Sequence, residues 1–275
     1  ALPEARVLGE VLGALWDGVV GLKAPALDAF GLAGNDKVPG SESSPDEVAR
    51  TFGLACRVLG NQRCGMYRQG WQQHLLPKVF ARMPTGLVVS PALGKRPLPE
   101  VQFILARGVE GLRPEYILAQ CLPPQELSHV LGLAVRAFHP RHARVPGEDV
   151  AAWKRELPYR TVKRLGEVFR DQADVVFSTV SWRQAVRRTL QRAALLVSGD
   201  LIAAASVMRT IDLPLTRTPL GTGKDKDEPG GPYLRLDSGG PEADPNVECE
   251  QDLRDLCGFF LDPQHAALFD RLHPR

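Results

Sequence analysis

Apolar residues recur along most of this chain at intervals of three and four positions, the spacing of one face of an α-helix. The pattern predicts helices over residues 2–22, 45–59, 98–112, 124–138, 150–169, 181–208 and 250–272. Proline near 158 and glycine near 199 predict breaks within two of these segments. For the second helix, Ser44 is predicted to be the N-cap and Pro45 the first helical residue.

Shorter apolar runs broken by glycine and proline lie between residues 64 and 90. They predict strands over 64–68, 75–80 and 86–90, which we expect to form a small antiparallel sheet. The helix that follows, over 98–112, is apolar on nearly every side and is therefore expected at the centre of the core. Together these elements predict an α+β fold that is mostly helical.

Residues 210–248 are rich in glycine, proline and aspartate and carry few large apolar side chains. Such a composition predicts an exposed, mobile loop. We therefore expect a single domain over 1–275, with N-terminal helices in 1–60, a core in 64–209, and C-terminal helices in 249–275 that dock on it.

The composition and net charge of the chain exclude few classes of function. Hydrophobic residues make up 44% of the chain and the formal net charge is +2, so charge alone does not imply a nucleic-acid or membrane partner. No apolar run approaches the roughly 20 residues of a membrane span, so we expect a soluble protein without a membrane partner. The chain begins with Ala1 rather than methionine, and we expect it to be part of a longer protein.

The cysteines indicate a reducing compartment. There are five of them, and no two are spaced as C-x-x-C, which argues against both a disulfide framework and a cysteine zinc site. Buried, unreactive thiols in a cytoplasmic protein are the expectation.

Two segments resemble a known family. They are Pro99-Glu100-Val101-Gln102-Phe103-Ile104-Leu105-Ala106 and Arg192-Ala193-Ala194-Leu195-Leu196-Val197-Ser198-Gly199-Asp200. In order and spacing they resemble the two zinc-binding helices of gluzincin metallopeptidases of the CAAX prenyl-protease type, and they look closest to modules at the C-terminal end of large tetratricopeptide-repeat proteins of myxobacteria. The resemblance implies a bacterial protein with metallopeptidase-like core helices.

The residues that would carry zinc chemistry in that family are absent. The resemblance places the first histidine ligand at Arg107, the catalytic glutamate at Gly108, the second histidine at Gly111 and the third ligand at Arg187. A guanidinium does not bind a metal and glycine offers no side chain, so neither a metal or other cofactor nor proteolysis is expected. The alternative is that 98–112 is an ordinary core helix, and it leads to the same expectation.

The same positions suggest a pocket. With the family's fold, Arg107 and Arg187 would point toward the former zinc site beside Glu110, where they could pair with carboxylates or bind an anion. The alternative is a simple i, i+3 pair between Arg107 and Glu110 on a partly exposed helix face.

These observations predict a non-catalytic interaction or scaffold module, a pseudoenzyme at the C-terminal end of a multidomain protein. Its partner would be another protein, through an acidic surface or an extended peptide added to the sheet. One alternative is an enzyme with a different chemistry, using His74, His129 and Glu110. Another is a nucleic-acid binder, through a basic patch in residues 135–195 that includes Arg155, Lys163, Arg164, Arg183 and Arg188. No aromatic stacking motif accompanies that patch, which favours an acidic protein surface over nucleic acid.

Overall fold

A computed structural model of the chain describes residues 3–23, 27–70, 74–80, 84–122, 124–140, 147–171, 177–211, 234–235 and 245–272. Its helices are α1 (Pro3–Lys23), α2 (Glu47–Val58), α3 (Leu98–Gly111), α4 (Pro114–Cys121), α5 (Pro124–Phe138), α6 (Glu148–Glu156), α7 (Tyr159–Arg170), α8 (Thr179–Ser198), α9 (Leu201–Ile211), α10 (Pro245–Leu261) and α11 (Pro263–Leu272). Its strands are β1 (Lys37–Val38), β2 (Gly65–Arg68), β3 (Lys78–Phe80), β4 (Gly86–Val89), β5 (Phe177–Ser178) and β6 (Leu234–Arg235). The prediction of a mostly helical α+β protein with a small sheet is confirmed.

The chain forms two compact units, and each is built from three separate stretches. The first unit comprises 1–24, 113–186 and 221–240, and the second comprises 25–112, 187–220 and 241–275. The single domain expected from the sequence stays a prediction. None of the helices among the described residues combines the length and apolar character that crossing a bilayer requires.

The first unit is a helical assembly in which α1 packs against α4 and α7. The stripe predicted from the sequence is buried, since Val11, Leu12 and Leu15 are inaccessible to solvent. Glycine allows the close approach of α1 to its neighbours: a Cβ on Gly18 would lie only 2.8 Å from Oγ1 of Thr161 on α7. Between α6 and α7 the chain breaks at Pro158, as predicted.

The sheet of the second unit has the order β1-β2-β4-β3. Strands β2 and β4 run parallel, with Gly65 opposite Gly86, whereas β1–β2 and β3–β4 are antiparallel. The prediction of a purely antiparallel sheet is therefore wrong. After β2 the chain forms β3 at the edge of the sheet opposite β1. It then returns antiparallel to β3 as β4, which lies between β2 and β3 and runs in the same direction as β2. The fourth strand, β1, comes from a turn-rich segment in which no strand was predicted.

Helix α3 is the central element of the second unit, as predicted. It packs against α2, α9 and β3, and it buries Val101, Phe103, Ile104, Leu105, Ala106 and Val109. The start of α2 differs from the prediction. Asp46, not Ser44, is the N-cap, because its carboxylate accepts hydrogen bonds from the backbone N–H groups of Val48 and Ala49.

Helices α8 and α9 are separated at Gly199, whose φ of +64° lies in the left-handed region. A Cβ at this position would also come within 2.7 Å of the Phe269 ring on α11. The predicted C-terminal segment begins at Pro245 and divides into α10 and α11, with Oδ1 of Asp262 accepting a hydrogen bond from the N–H of Gln264 at the junction. Most of the predicted mobile loop over 210–248 lies outside the described residues.

Candidate functional site

The positions assigned to the first zinc motif lie on the last turns of α3. Arg107 is half-buried, while Glu110 is only 7% exposed and Gly111 is buried. Gly108 faces the sheet: a Cβ there would lie 2.9 Å from Cδ1 of Leu87 on β4 and 3.4 Å from Cγ of Pro77. The backbone of α3 therefore approaches apolar side chains so closely at position 108 that even an alanine would displace a neighbour.

Arg187, the position assigned to the third zinc ligand, forms an ion pair with a buried carboxylate on α10. Its Nε lies 2.5 Å from Oδ2 of Asp252, which is 2% exposed. Two further donors on α8 reach the same carboxylate, Nε of Arg188 at 3.4 Å and Nε2 of Gln191 at 3.3 Å. A buried carboxylate needs such partners because its desolvation is costly.

One turn further along α8, Arg192 binds Asp255 with two hydrogen bonds, Nη2–Oδ1 at 2.6 Å and Nε–Oδ2 at 3.1 Å. Its guanidinium also lies 5.3 Å from the centre of the Phe259 ring, close enough for a cation–π contact. We refer to these residues as the α8–α10 cluster: Arg187, Arg188, Gln191, Arg192, Asp252 and Asp255. It attaches α10 to α8, and no local pattern predicted it because its two sides lie some sixty residues apart in the chain.

The predicted basic patch is exposed at Arg155, Lys163, Arg164 and Arg183. Its fifth member, Arg188, is half-buried and belongs to the α8–α10 cluster. Arg160 and Arg170, which also lie within the predicted basic region 135–195, are on the exposed side of α7 with Lys163 and Arg164. We call these four residues the α7 basic face.

Tyr159 stands at the start of the α7 basic face and is 80% exposed. The opposite side of α7 is buried through Thr161, Leu165 and Phe169. The helix is thus fixed in orientation, with its cations toward solvent. The contact of Arg164 with Asp17, at 3.8 Å between two exposed side chains, is a weak surface pair.

The residues considered for another enzyme chemistry differ in their surroundings. His74 and His129 are exposed, whereas Glu110 is buried. His74 and Glu110 belong to the second unit and His129 to the first. Within the described ranges, no three His, Cys, Asp or Glu side chains are grouped so that they could hold a metal ion.

Two of the five cysteines, all of which were expected from the sequence to be buried and unreactive, lie close together in the second unit. Sγ of Cys56, near the end of α2, is 3.3 Å from Sγ of Cys64, directly before β2. Both residues line an open pocket together with Lys37, Glu42, Arg57 and Met66. Cys56 is buried and Cys64 is half-buried.

The two thiols differ in acidity because of their contact. The S–H of Cys56 can donate to a Cys64 thiolate, which lowers the pKa of Cys64 against the opposing effect of burial. The same contact raises the pKa of Cys56, as does its own burial. In its protonated form Cys64 donates to the carbonyl oxygen of Asn61 at 3.1 Å. The contact with Cys56 therefore favours the thiolate form at Cys64 rather than at Cys56.

Comparison with protein-family models, with curated proteins and with solved structures found no match for this chain. The gluzincin resemblance thus stays a prediction that rests on two sequence segments. Function has to be argued from the residues themselves.

Proposed function

We propose that this chain is a non-catalytic protein-interaction module that binds an acidic segment of another protein through the α7 basic face. The observation that carries the proposal is the arrangement of α7, with Arg160, Lys163, Arg164 and Arg170 exposed on one side and an apolar core on the other. Charges on a helix that cannot rotate form a fixed pattern, which an acidic partner can match.

The size of this face indicates the kind of partner. Arg160 and Arg170 are ten residues apart, which corresponds to about 15 Å along a helix. An extended peptide covers that distance with about five residues. Glu167 is an acid on the same side, so it offsets part of the positive charge between Arg164 and Arg170. A short acidic segment with an apolar or aromatic residue against Tyr159 fits best.

An acidic protein is favoured over nucleic acid because α7 exposes few aromatic rings. Tyr159 is a single exposed ring, whereas sequence-tolerant binding of single strands uses several rings that stack successive bases. Because surface charges are well hydrated, we expect modest affinity that weakens as salt is added.

The lack of catalysis is part of the proposal. It is supported by the residues at the four family positions, where Arg107, Gly108, Gly111 and Arg187 replace two histidines and two glutamates. The packing of Gly108 against Leu87 supports it further, because a carboxylate base at this position would be enclosed by apolar groups.

The binding experiment uses fluorescence anisotropy with a labelled polyglutamate peptide and the full chain. Reversing two charges in the double variant Lys163→Glu/Arg164→Glu is expected to weaken binding at least about tenfold, since each pair lost costs several tenths of a kcal/mol and repulsion adds to it. The matched control is Arg209→Glu/Arg271→Glu, which changes the net charge equally at exposed positions of the second unit.

Equal losses in the two double variants, or no binding of polyglutamate at low salt, would contradict the proposed face. Tighter binding of a single-stranded oligonucleotide, with the steep salt dependence of phosphate contacts, would replace the acidic protein by nucleic acid. Stoichiometric zinc in protein purified without chelators, together with peptidase activity, would overturn the non-catalytic part.

A further inference from the structure

The Cys56–Cys64 pair has the geometry of a dithiol that can close into a disulfide. Its sulfur atoms are 3.3 Å apart, and a disulfide bond needs about 2.05 Å. The remaining approach is about 1.3 Å, within reach of small side-chain rotations. This pair plays no part in the proposed function.

The backbone between the two cysteines holds them in this position. Gly60 takes a φ of +68° directly after α2 and turns the chain back. The N–H of Asn61 then donates to the carbonyl of Cys56 at 2.9 Å, and the side-chain amide of Asn61 donates to the carbonyl of Val109 at 3.1 Å. Beyond Cys64, the N–H of Gly65 donates to the carbonyl of Thr85 at 2.8 Å. Both thiols are thus attached to fixed elements.

Cys64 is more accessible to solvent than Cys56, and it is also the more acidic of the two thiols. Both residues line the pocket, but Cys64 is the more exposed of the two and is the one whose pKa their contact lowers. A thiolate, not a thiol, attacks a disulfide. Attack by Cys64 followed by resolution by the buried Cys56 is therefore the order that the surroundings favour.

We propose that Cys56 and Cys64 form a thiol–disulfide exchange site whose substrate is a low-molecular-weight disulfide. The Cys64 thiolate attacks one sulfur of the substrate, whose S–S bond breaks, and the second sulfur leaves as a thiolate and takes up a proton. Cys56 then loses its proton and attacks Sγ of Cys64 in the mixed disulfide, which releases the second substrate thiol. The two cysteines are oxidised by two electrons, and the small disulfide is reduced to two thiols.

The test exposes the reduced full chain to bis(2-hydroxyethyl) disulfide, blocks the remaining thiols and digests with trypsin. Cleavage after Arg50, Arg57, Arg63 and Arg68 places the two cysteines in separate peptides, 51–57 and 64–68. Mass spectrometry is expected to find these two peptides joined, and dithiothreitol to separate them. Absence of the joined peptide while other cysteines are oxidised would overturn the proposal.

Single variants distinguish the roles of the two thiols. Cys56→Ser is expected to accumulate the mixed disulfide on Cys64. In Cys64→Ser only the buried Cys56 can attack, so its mixed disulfide should form at least about tenfold more slowly than the disulfide of the unaltered chain. Cys257→Ser on α10 is the control and should leave the joined peptide unchanged. If Cys64→Ser reacts as fast as the unaltered chain, the assigned order of attack is wrong. The peptide map of the unaltered chain still decides the proposal if a variant does not fold.

Discussion

His265 is a titratable side chain enclosed by aromatic rings. Its ring centre is 5.0 Å from that of Phe259, 5.2 Å from Phe260 and 6.1 Å from Phe269. Burial lowers the pKa of His265 below its usual value of 6.5, although the carboxylate of Asp262 opposes the shift. The folded protein therefore holds this imidazole neutral at a pH where the unfolded chain protonates it.

A pH dependence of stability follows from that difference. As the pH falls below 6.5 the unfolded state binds more protons than the folded state, so the free energy of unfolding decreases until the lower folded pKa is passed. Urea unfolding between about pH 7.5 and 5.5 should show this loss, and His265→Leu should reduce it. Other titrating groups contribute equally to both proteins, so identical slopes in the two would contradict the prediction.

Asp46 shows why a residue's role was hard to assign from the sequence. Ser44, Asp46 and Pro45 all suit the start of a helix, and the competition is decided by where the chain turns. Asp46 also pairs with Arg68 of β2 at 2.7 Å. Burial would raise the pKa of Asp46, but Arg68 and the helix N–H groups outweigh it and lower the pKa. The link to β2 was not visible in the local sequence.

At the scale of elements, α3 can lie close to the sheet because Gly108 has no side chain. Gly108→Ala gains about 1 kcal/mol of helix propensity, yet the new Cβ would lie 2.9 Å from Leu87, and overpacking costs about 1 to 3 kcal/mol. We expect a net loss of stability by urea unfolding. The control Gly258→Ala on α10, where a Cβ meets nothing within 4 Å, should stabilise instead.

The partner of Gly108 offers a further check on this packing. Adding Leu87→Ala should make Gly108→Ala less costly than it is alone, because the clash is removed and the two changes are not additive. Additive losses, or a stabilising Gly108→Ala, would show that α3 can move away from β4.

The attachment of α10 to α8 depends on one buried carboxylate. Asp252→Ala leaves Arg187, Arg188 and Gln191 without this acceptor, and we expect a loss of about 3 kcal/mol, as for a buried pair that loses one partner. Asp255→Ala removes a more exposed partner of Arg192 and should cost about 1 kcal/mol or less. Thermal or urea unfolding distinguishes the two, and equal losses would contradict the dominant role of Asp252.

Elements set by local signals could be predicted, and those set by distant contacts could not. The buried helix α3 and the breaks at Pro158 and Gly199 follow from local patterns, and each was predicted correctly. Helix α4 was missed because it is only 8 residues long, and the β1 strand has two residues. The parallel pairing of β2 and β4 was missed because it depends on β4, rather than β3, lying next to β2 in the sheet.

The candidate sites divide in the same way. The exposed cations of α7 could be predicted from the local sequence, because the spacing of Arg160, Lys163, Arg164 and Arg170 places them on one side of a helix. The Cys56–Cys64 pair depends on the turn at Gly60, and the Asp252 contacts depend on a helix sixty residues further along the chain. Neither pairing is visible in the local pattern around the residues that form it.

At the scale of the whole molecule, neither unit is a continuous stretch of chain. In the second unit, α3 packs against α9, and Oγ of Ser206 on α9 donates to the buried carboxylate of Glu100 on α3 at 3.0 Å. A fragment comprising residues 25–112 contains α3 and the sheet but lacks α9 and α10. The face of α3 that packs against α9 would therefore be exposed to solvent.

We expect that fragment to show no cooperative thermal transition by circular dichroism, whereas residues 1–275 should show one. Adding a second fragment over 187–275 should restore structure if the two supply the contacts of the second unit. A cooperative transition in 25–112 alone would contradict the prediction.

The interleaved units also order events during protein synthesis. The last stretch of the first unit ends at residue 240, while the second unit still awaits residues 241–275 with α10 and α11. At a translation rate of about 5 to 20 residues per second, that interval lasts about 2 to 7 s. Throughout it Arg187, Arg188 and Arg192 have emerged without the acids that neutralise them. A nascent chain at this stage carries a cationic, partly apolar surface that α10 partly covers and neutralises in the folded protein, and chaperones that bind exposed apolar segments would meet it there.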